Sequence, residues 1–126
     1  MIRFCMRIGL ARITNPRQRG VHSKLIVHMN KIELIFKDRI AIDRGTYFLF
    51  TKNDSIDFIK ECRIKAVIIL GIDGFYKIDK NTIQPSLENS IDFSNLSPSI
   101  NKYDTALEFI TTREDKLYFE IICVDF

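Results

Sequence analysis

The stretch that most constrains the fold is residues 66–92, AVIILGIDGFYKIDKNTIQPSLENSID. Residues 66–72 are almost continuously apolar, and an apolar run of this length that stops at turn residues is typical of a strand buried on both faces. Asp73 and Gly74 follow, and an Asp-Gly pair between two β-prone segments predicts a tight hairpin turn. Residues 79–100 are rich in turn formers, which predicts a long irregular segment. We therefore expect a core strand, a turn and an exposed acidic loop.

The segments on either side show the periodicity of regular secondary structure. Apolar residues at helical spacing predict one helix over residues 54–63 and a second that begins at Asn101 or Asp104. Short runs rich in β-branched and aromatic residues predict strands over residues 32–36, 46–50 and 117–124. The order β-β-α-β-β-loop-α-β predicts an α+β domain, in which two helices pack on a mixed or antiparallel sheet of about five strands.

Charge is distributed unevenly along the chain, whose net charge is +3 over 126 residues. Residues 1–28 contain six Arg or Lys and no Asp or Glu, which leaves 13 of the 19 cations and all 16 acids in residues 29–126. We therefore predict a basic leader, residues 1–28, followed by a single acidic domain, residues 29–126. A leader of this composition is typical of a targeting segment or a nucleic-acid-binding segment. Because Met29 begins MNKIELIF, like a natural start, we expect the leader to be disordered or to be non-native upstream sequence.

The sequence lacks the common catalytic and metal-binding motifs. It contains no G-x-S-x-G, H-E-x-x-H, P-loop or G-x-G-x-x-G motif. An EF-hand loop starting at Asp79 fails at the positions that need a glycine and a bidentate acid. The cysteines form no C-x-x-C pair, and we interpret Cys62 and Cys123 as reduced, small core residues. We expect no catalytic residue, no metal and no cofactor, although a hydrolase or ligand site built from the acids of residues 73–92 stays open.

One segment resembles a known family. Residues 71–94, GIDGFYKIDKNTIQPSLENSIDFS, resemble bacterial immunity proteins of polymorphic-toxin and contact-dependent growth inhibition systems. With the helix that follows and the strand containing Phe119, Glu120 and Ile121, the chain is similar to the immunity protein 40 family from Met29 to the C terminus. The resemblance implies a small cytoplasmic α+β protein that is not an enzyme. Such a protein binds and neutralises the toxin domain encoded beside it, often a nuclease.

The acid-bearing segment is the candidate surface for that partner. Its carboxylates stand among aromatic and aliphatic residues, a composition typical of interfaces with basic proteins. By position, we expect partner contacts at Asp73, Tyr76, Asp79, Glu88 and Asp92, and we expect Gly74 and Pro85 to shape the loop. The alternative is a nucleic-acid-binding protein that uses the basic leader, although the negative charge of the domain opposes phosphate binding. No membrane partner is expected.

Overall fold

The computed structural model describes residues 29–97 and 99–124, so the predictions made for the leader lie outside the described residues. The elements, in chain order, are α1 (Lys31–Ile35), β1 (Ile42–Asp43), β2 (Phe48–Thr51), α2 (Lys52–Ile64), β3 (Ile68–Asp79), β4 (Thr82–Asp92), α3 (Lys102–Thr111) and β5 (Tyr118–Val124). Short 3-10 turns at Lys37–Arg39 and Phe93–Asn95 follow α1 and β4. The predicted α+β class is confirmed.

The five strands form one sheet in the order β1-β2-β5-β3-β4, and every neighbouring pair is antiparallel. The last strand of the described chain, β5, lies in the middle of this order. It pairs with β2 on one side and with β3 on the other. The antiparallel five-strand sheet is therefore as predicted, with β4 at one edge.

The main hydrophobic core lies on one face of the sheet, under α2 and α3. Phe48 and Phe50 point into it from β2, where they alternate with Leu49. Phe58 of α2 meets Phe50 with ring centroids 5.1 Å apart. Ala106 of α3 joins the same buried cluster. Complete burial of one large apolar side chain contributes about 1.5–3 kcal/mol, so this face holds much of the stabilisation.

The opposite face of the sheet, which we call the far face, is buried at its centre. It carries the side chains that alternate with those of the core, namely Leu49, Asp73, Phe75, Glu120 and Ile122. Phe75 is 1% exposed and its ring stacks on that of Tyr47, with centroids 6.0 Å apart. Two carboxylates therefore lie within an otherwise apolar surface.

The prediction of a strand over residues 32–36 is wrong, because this segment forms α1 and its C-terminal cap. Asn30 accepts a 2.8 Å hydrogen bond from the backbone N–H of Glu33, and the Glu33 carboxylate accepts one of 3.1 Å from the N–H of Asn30. This reciprocal capping box starts a helix. Ile32 and Phe36, four residues apart, then share its buried side, whereas Ile35 is 53% exposed.

The prediction of a turn at Asp73-Gly74 is also wrong. β3 continues through both residues to Asp79, and residues 82–92 form β4 instead of an irregular loop. The expected burial of the apolar run on both faces is wrong at its start, where Ile68 and Leu70 are 39% and 38% exposed. The strands predicted at residues 46–50 and 117–124 and both predicted helices are confirmed, with the bounds given above.

Candidate functional site

The hairpin formed by β3 and β4 extends beyond the rest of the sheet. β3 pairs with β5 as far as Phe75, which lies opposite Tyr118, and then continues to Asp79 beside β4. At ~3.3 Å per residue, these last four residues carry the hairpin about 13 Å past the end of its pairing with β5. We call residues 76–86 the arm.

The arm ends in a tight turn at Lys80 and Asn81. The backbone N–H of Asn81 donates a 2.8 Å hydrogen bond to Oδ1 of Asp79. This bond, followed by hydrogen bonds from Thr82, lowers the pKa of Asp79 below its usual value. Because these donors favour the ionised carboxylate, the turn holds a negative charge at the exposed end of the arm.

A bulge interrupts β4 at the base of the arm. Ile72 pairs with Ile91, and Gly74 pairs with Ser86. Residues 87–90, which we call the bulge, therefore lie opposite a single residue of β3. A bulge bends its strand and redirects the side chains that it carries.

Gly74 provides the space that the bulge occupies. A Cβ atom at this position would lie 2.4 Å from the backbone oxygen of Asn89 and 2.8 Å from its Cβ. The N–H of Gly74 donates to Oγ of Ser90 at 3.2 Å, and that hydroxyl donates to the carbonyl of Ser86 at 2.8 Å. Nδ2 of Asn89 donates to Oγ of Ser86 at 2.8 Å. Gly74 is thus required by close backbone approach, and the prediction that it shapes a loop is wrong.

Polar contacts also fix the bulge to the segment after α3. Nδ2 of Asn89 donates to the hydroxyl of Tyr76 at 3.3 Å, and that hydroxyl donates to Oε1 of Glu114 at 3.1 Å. Nη1 of Arg113 donates to the backbone carbonyl of Glu88 at 3.4 Å. These bonds tie one strand edge to a separate part of the chain, so the bulge is braced from two sides.

The braced bulge presents apolar side chains beside charged ones. Leu87 in the bulge is 67% exposed, and Ile78 on the arm is 56% exposed. Glu88 is exposed next to Leu87, and Asp79 is exposed next to Ile78. Each apolar group is therefore accompanied by a carboxylate, an arrangement that suits contact with a partner carrying apolar and cationic groups.

The structure separates the five predicted contact residues. Tyr76 and Glu88 lie together at the bulge, and Asp79 lies at the tip of the arm. Asp92 lies at the other end of β4, where its side chain caps a 3-10 turn, about 26 Å along the strand from Asp79 at ~3.3 Å per residue. Asp73 is fully buried on the far face. The five therefore do not form one cluster.

Sequence reasoning also misplaced Pro85 and missed the centre of the site. Pro85 lies within β4 opposite Phe75, so the prediction that it shapes a loop is wrong. A proline is tolerated there because, among the strands of residues 29–97 and 99–124, β4 has a neighbour on one side only. Leu87 and Asn89 were not predicted as site residues. Both residues lie in the segment 79–100, whose many turn-forming residues predicted an irregular loop. This composition indicates a departure from regular structure but does not distinguish a bulge within a strand from a loop.

Metal and thiol chemistry receive no support from the described residues. Within residues 29–97 and 99–124, no group of three or more His, Cys, Asp or Glu side chains is placed to hold a metal ion. Hydrogen bonding to Cys62 and burial raise the pKa of Cys123, which keeps its thiol protonated at neutral pH. In the same part of the chain, every helix is too short or too polar to cross a membrane.

No protein-family model, curated protein or solved structure matches the chain. Relatives therefore supply no function for the site. The resemblance to immunity proteins stays a prediction, and the arm and the bulge are the features of the molecule that bear on its function.

Proposed function

We propose that the protein is an immunity-type binding protein, which neutralises a cognate bacterial toxin by direct contact and without catalysis. The observation that carries this proposal is the braced bulge at the base of the arm, which exposes Leu87 and Glu88 on an edge strand. In this proposal the protein acts in the bacterial cytoplasm, where its partner is the toxin domain encoded beside it.

Preorganisation of the bulge favours tight binding. Association loses less conformational entropy when the contacting residues are already ordered in the free protein. Here Gly74 gives the bulge its space, while Asn89 and Arg113 hold it by hydrogen bonds. Burying most of the Leu87 side chain against a partner would then contribute about 1–2 kcal/mol with little ordering cost.

The charge of the domain supports a cationic partner. Residues 29–126 carry 13 cations and 16 acids, and exposed carboxylates stand at the tip of the arm and in the bulge. A nuclease toxin holds phosphate with Lys and Arg, so its surface is complementary to these acids. Electrostatic complementarity of this kind raises the association rate at low salt and fades as salt is added.

Co-expression tests the proposal. The full chain is produced together with the protein encoded by the neighbouring gene, and two results are measured: cell survival and co-purification. We expect survival and a stable complex with the wild-type chain. We expect Leu87→Ala to raise the dissociation constant of the complex at least tenfold, which corresponds to a loss of about 1.4 kcal/mol of binding free energy.

Ile64→Ala is the matched control, because Ile64 is 74% exposed but lies at the end of α2 instead of on the hairpin. This variant should bind within twofold of wild type. Absence of both protection and complex formation would contradict the proposed function. Equal losses in the two variants would contradict the assignment of the bulge as the contact surface.

A further inference from the structure

Every second residue of β4 in the arm turns its backbone away from β3. In an antiparallel sheet, the N–H and C=O of one residue point to the same side, and those of the next residue point to the other side. The N–H of Gly74 donates to Oγ of Ser90 at 3.2 Å, so Gly74 faces β4. Phe75, the next residue, therefore faces β5. Its partner in β4 is Pro85, whose backbone must then point away from β3.

A hydrogen bond at the other side of the sheet gives the same orientation. The carbonyl of Leu49 accepts a 2.9 Å hydrogen bond from the N–H just before β1, so Leu49 faces β1. The next residue, Phe50, faces β5 and pairs with Phe119, which therefore faces β2. Tyr118, one residue earlier, then faces β3 and its partner Phe75. Both routes turn Phe75 towards β5.

The outer edge of the arm therefore presents a short row of backbone groups. Ile83 lies two residues before Pro85 and pairs with Lys77, so its N–H and C=O also point away from β3. Pro85 contributes a carbonyl only, because its ring replaces the N–H. Among the strands of residues 29–97 and 99–124, none lies on this side of β4. Three groups, the N–H of Ile83 and the carbonyls of Ile83 and Pro85, can thus pair with a strand of another molecule.

The side chains along this edge alternate in polarity. Thr82, Gln84 and Ser86 are polar and share one face of the arm. Ile83 and Pro85 are apolar and share the other face, where Pro85 is exposed and Ile83 is half-buried. Side chains on adjacent strands pair across the strands, so an added strand would match this edge with polar residues on one face and apolar residues on the other.

Carboxylates stand at both ends of the edge. Asp79, which pairs with Thr82, is exposed at the tip of the arm, and Glu88 is exposed in the bulge. From Thr82 to Ser86 the edge spans about 13 Å at ~3.3 Å per residue. A strand of about five residues fits this length, and cations at its two ends would meet the two carboxylates.

We propose that the partner adds a strand to the outer edge of β4, where it pairs with Ile83 and Pro85. The added strand alternates apolar and polar residues and carries Lys or Arg at its ends. This inference rests on the proposed function and assigns it a binding mode. Backbone hydrogen bonds of an added strand supply affinity, and the side chains beside them supply specificity. Because Pro85 and the bulge keep the row short, the edge is protected against open-ended pairing between copies of the chain.

Amide hydrogen exchange tests the inference. The full chain is measured by NMR with and without the protein encoded by the neighbouring gene. We expect the amide of Ile83 to exchange at least tenfold more slowly in the complex, because it becomes hydrogen-bonded there. The amide of Lys77 is the internal control. It lies two residues after Phe75 and faces the opposite edge of the arm, so its exchange should change less than about twofold.

A proline substitution tests the same hydrogen bond by affinity. Ile83→Pro removes the outward N–H without breaking a hydrogen bond between β3 and β4, so the variant should keep the circular dichroism spectrum of wild type. Ile83→Ala is the matched control, because it truncates the same side chain but keeps the N–H. We expect the dissociation constant of Ile83→Pro to exceed that of Ile83→Ala at least tenfold. Where Ile83→Pro fails to fold, the exchange measurement decides.

The outcomes separate this inference from the proposed function. A complex that leaves exchange at Ile83 unchanged, or that binds the two variants equally well, would overturn strand addition and leave the proposed function in place. Absence of a complex with the wild-type chain would contradict both. A dimer of the free chain with a protected Ile83 amide would assign the edge to a second copy and overturn the inference.

Discussion

Replacing Gly74 with alanine would test the packing on which the bulge depends. The added Cβ would lie 2.4 Å from the backbone oxygen of Asn89, whereas ordinary contacts begin near 3.4 Å. The atom in the way belongs to the backbone, so it cannot move by a side-chain rotation. β3 and β4 would have to separate by about 1 Å at this point, or the bulge would have to change its shape.

The expected loss of stability is about 3 kcal/mol. Overpacking of a tightly packed site costs about 1–3 kcal/mol. Separation of the strands also weakens the 3.2 Å hydrogen bond from Gly74 to Ser90, and a bond of this kind contributes about 1 kcal/mol. The two effects act together, because both follow from the same displacement.

Urea unfolding of the full-length variant, followed by far-ultraviolet circular dichroism, measures this loss. The matched control is Gln84→Ala, since Gln84 is an exposed residue of the same hairpin and its truncation should cost less than about 0.5 kcal/mol. Gly74→Ala with a free energy of unfolding within 0.5 kcal/mol of wild type would refute the close approach of β3 to the bulge.

Three further predictions concern local backbone and charge. Ala66 has a φ of 57°, in the left-handed region, which strains the backbone of any residue with a Cβ atom. Ala66→Gly should therefore raise the free energy of unfolding by about 0.5–1 kcal/mol, measured by urea titration. A lower free energy of unfolding in this variant would contradict the presence of backbone strain at Ala66. Asn101 accepts hydrogen bonds from the N–H groups of Tyr103 and Asp104 at the start of α3. Asn101→Ala should therefore lower the free energy of unfolding by about 1 kcal/mol, measured by urea titration. An unchanged midpoint of urea unfolding would contradict the role of Asn101 as the helix cap. Hydrogen bonds from Asn81 and Thr82 lower the pKa of Asp79. The ionised Asp79 carboxylate therefore stabilises the folded protein at a pH above the usual pKa of an aspartate, and this stabilisation is lost as the pH falls through the lowered pKa of Asp79. A carboxyl NMR titration of Asp79 with a midpoint at or above 3.8 would be inconsistent with this arrangement of the turn.

The parts of the fold that the sequence predicted well are those with an unambiguous local pattern. α2 and α3 combine helical spacing with capping residues, and β5 is a long β-prone run. Residues 32–36 were misassigned because five apolar-rich residues fit a strand and a short helix equally well. The capping box formed by Asn30 and Glu33 was the local signal that distinguishes the two.

The candidate site was harder to predict because its geometry depends on contacts between distant residues. Asp73-Gly74 has the composition of a turn, yet Gly74 is needed for the approach of Asn89, fifteen positions later in the sequence. The actual turn follows Asp79, whose side chain bonds to the N–H of Asn81. Bracing of the bulge by Arg113 and Glu114 involves a part of the chain that no local pattern connects with β4.

The most direct test of the central claim is an NMR titration of the isotope-labelled full chain with the protein encoded by the neighbouring gene. We predict that backbone amide signals of the arm and the bulge, residues 76–90, shift or broaden at substoichiometric partner, while those of α2 and α3 change little. Perturbations centred on the helical face, or none at any partner concentration, would contradict the claim that the β3–β4 hairpin is the binding surface.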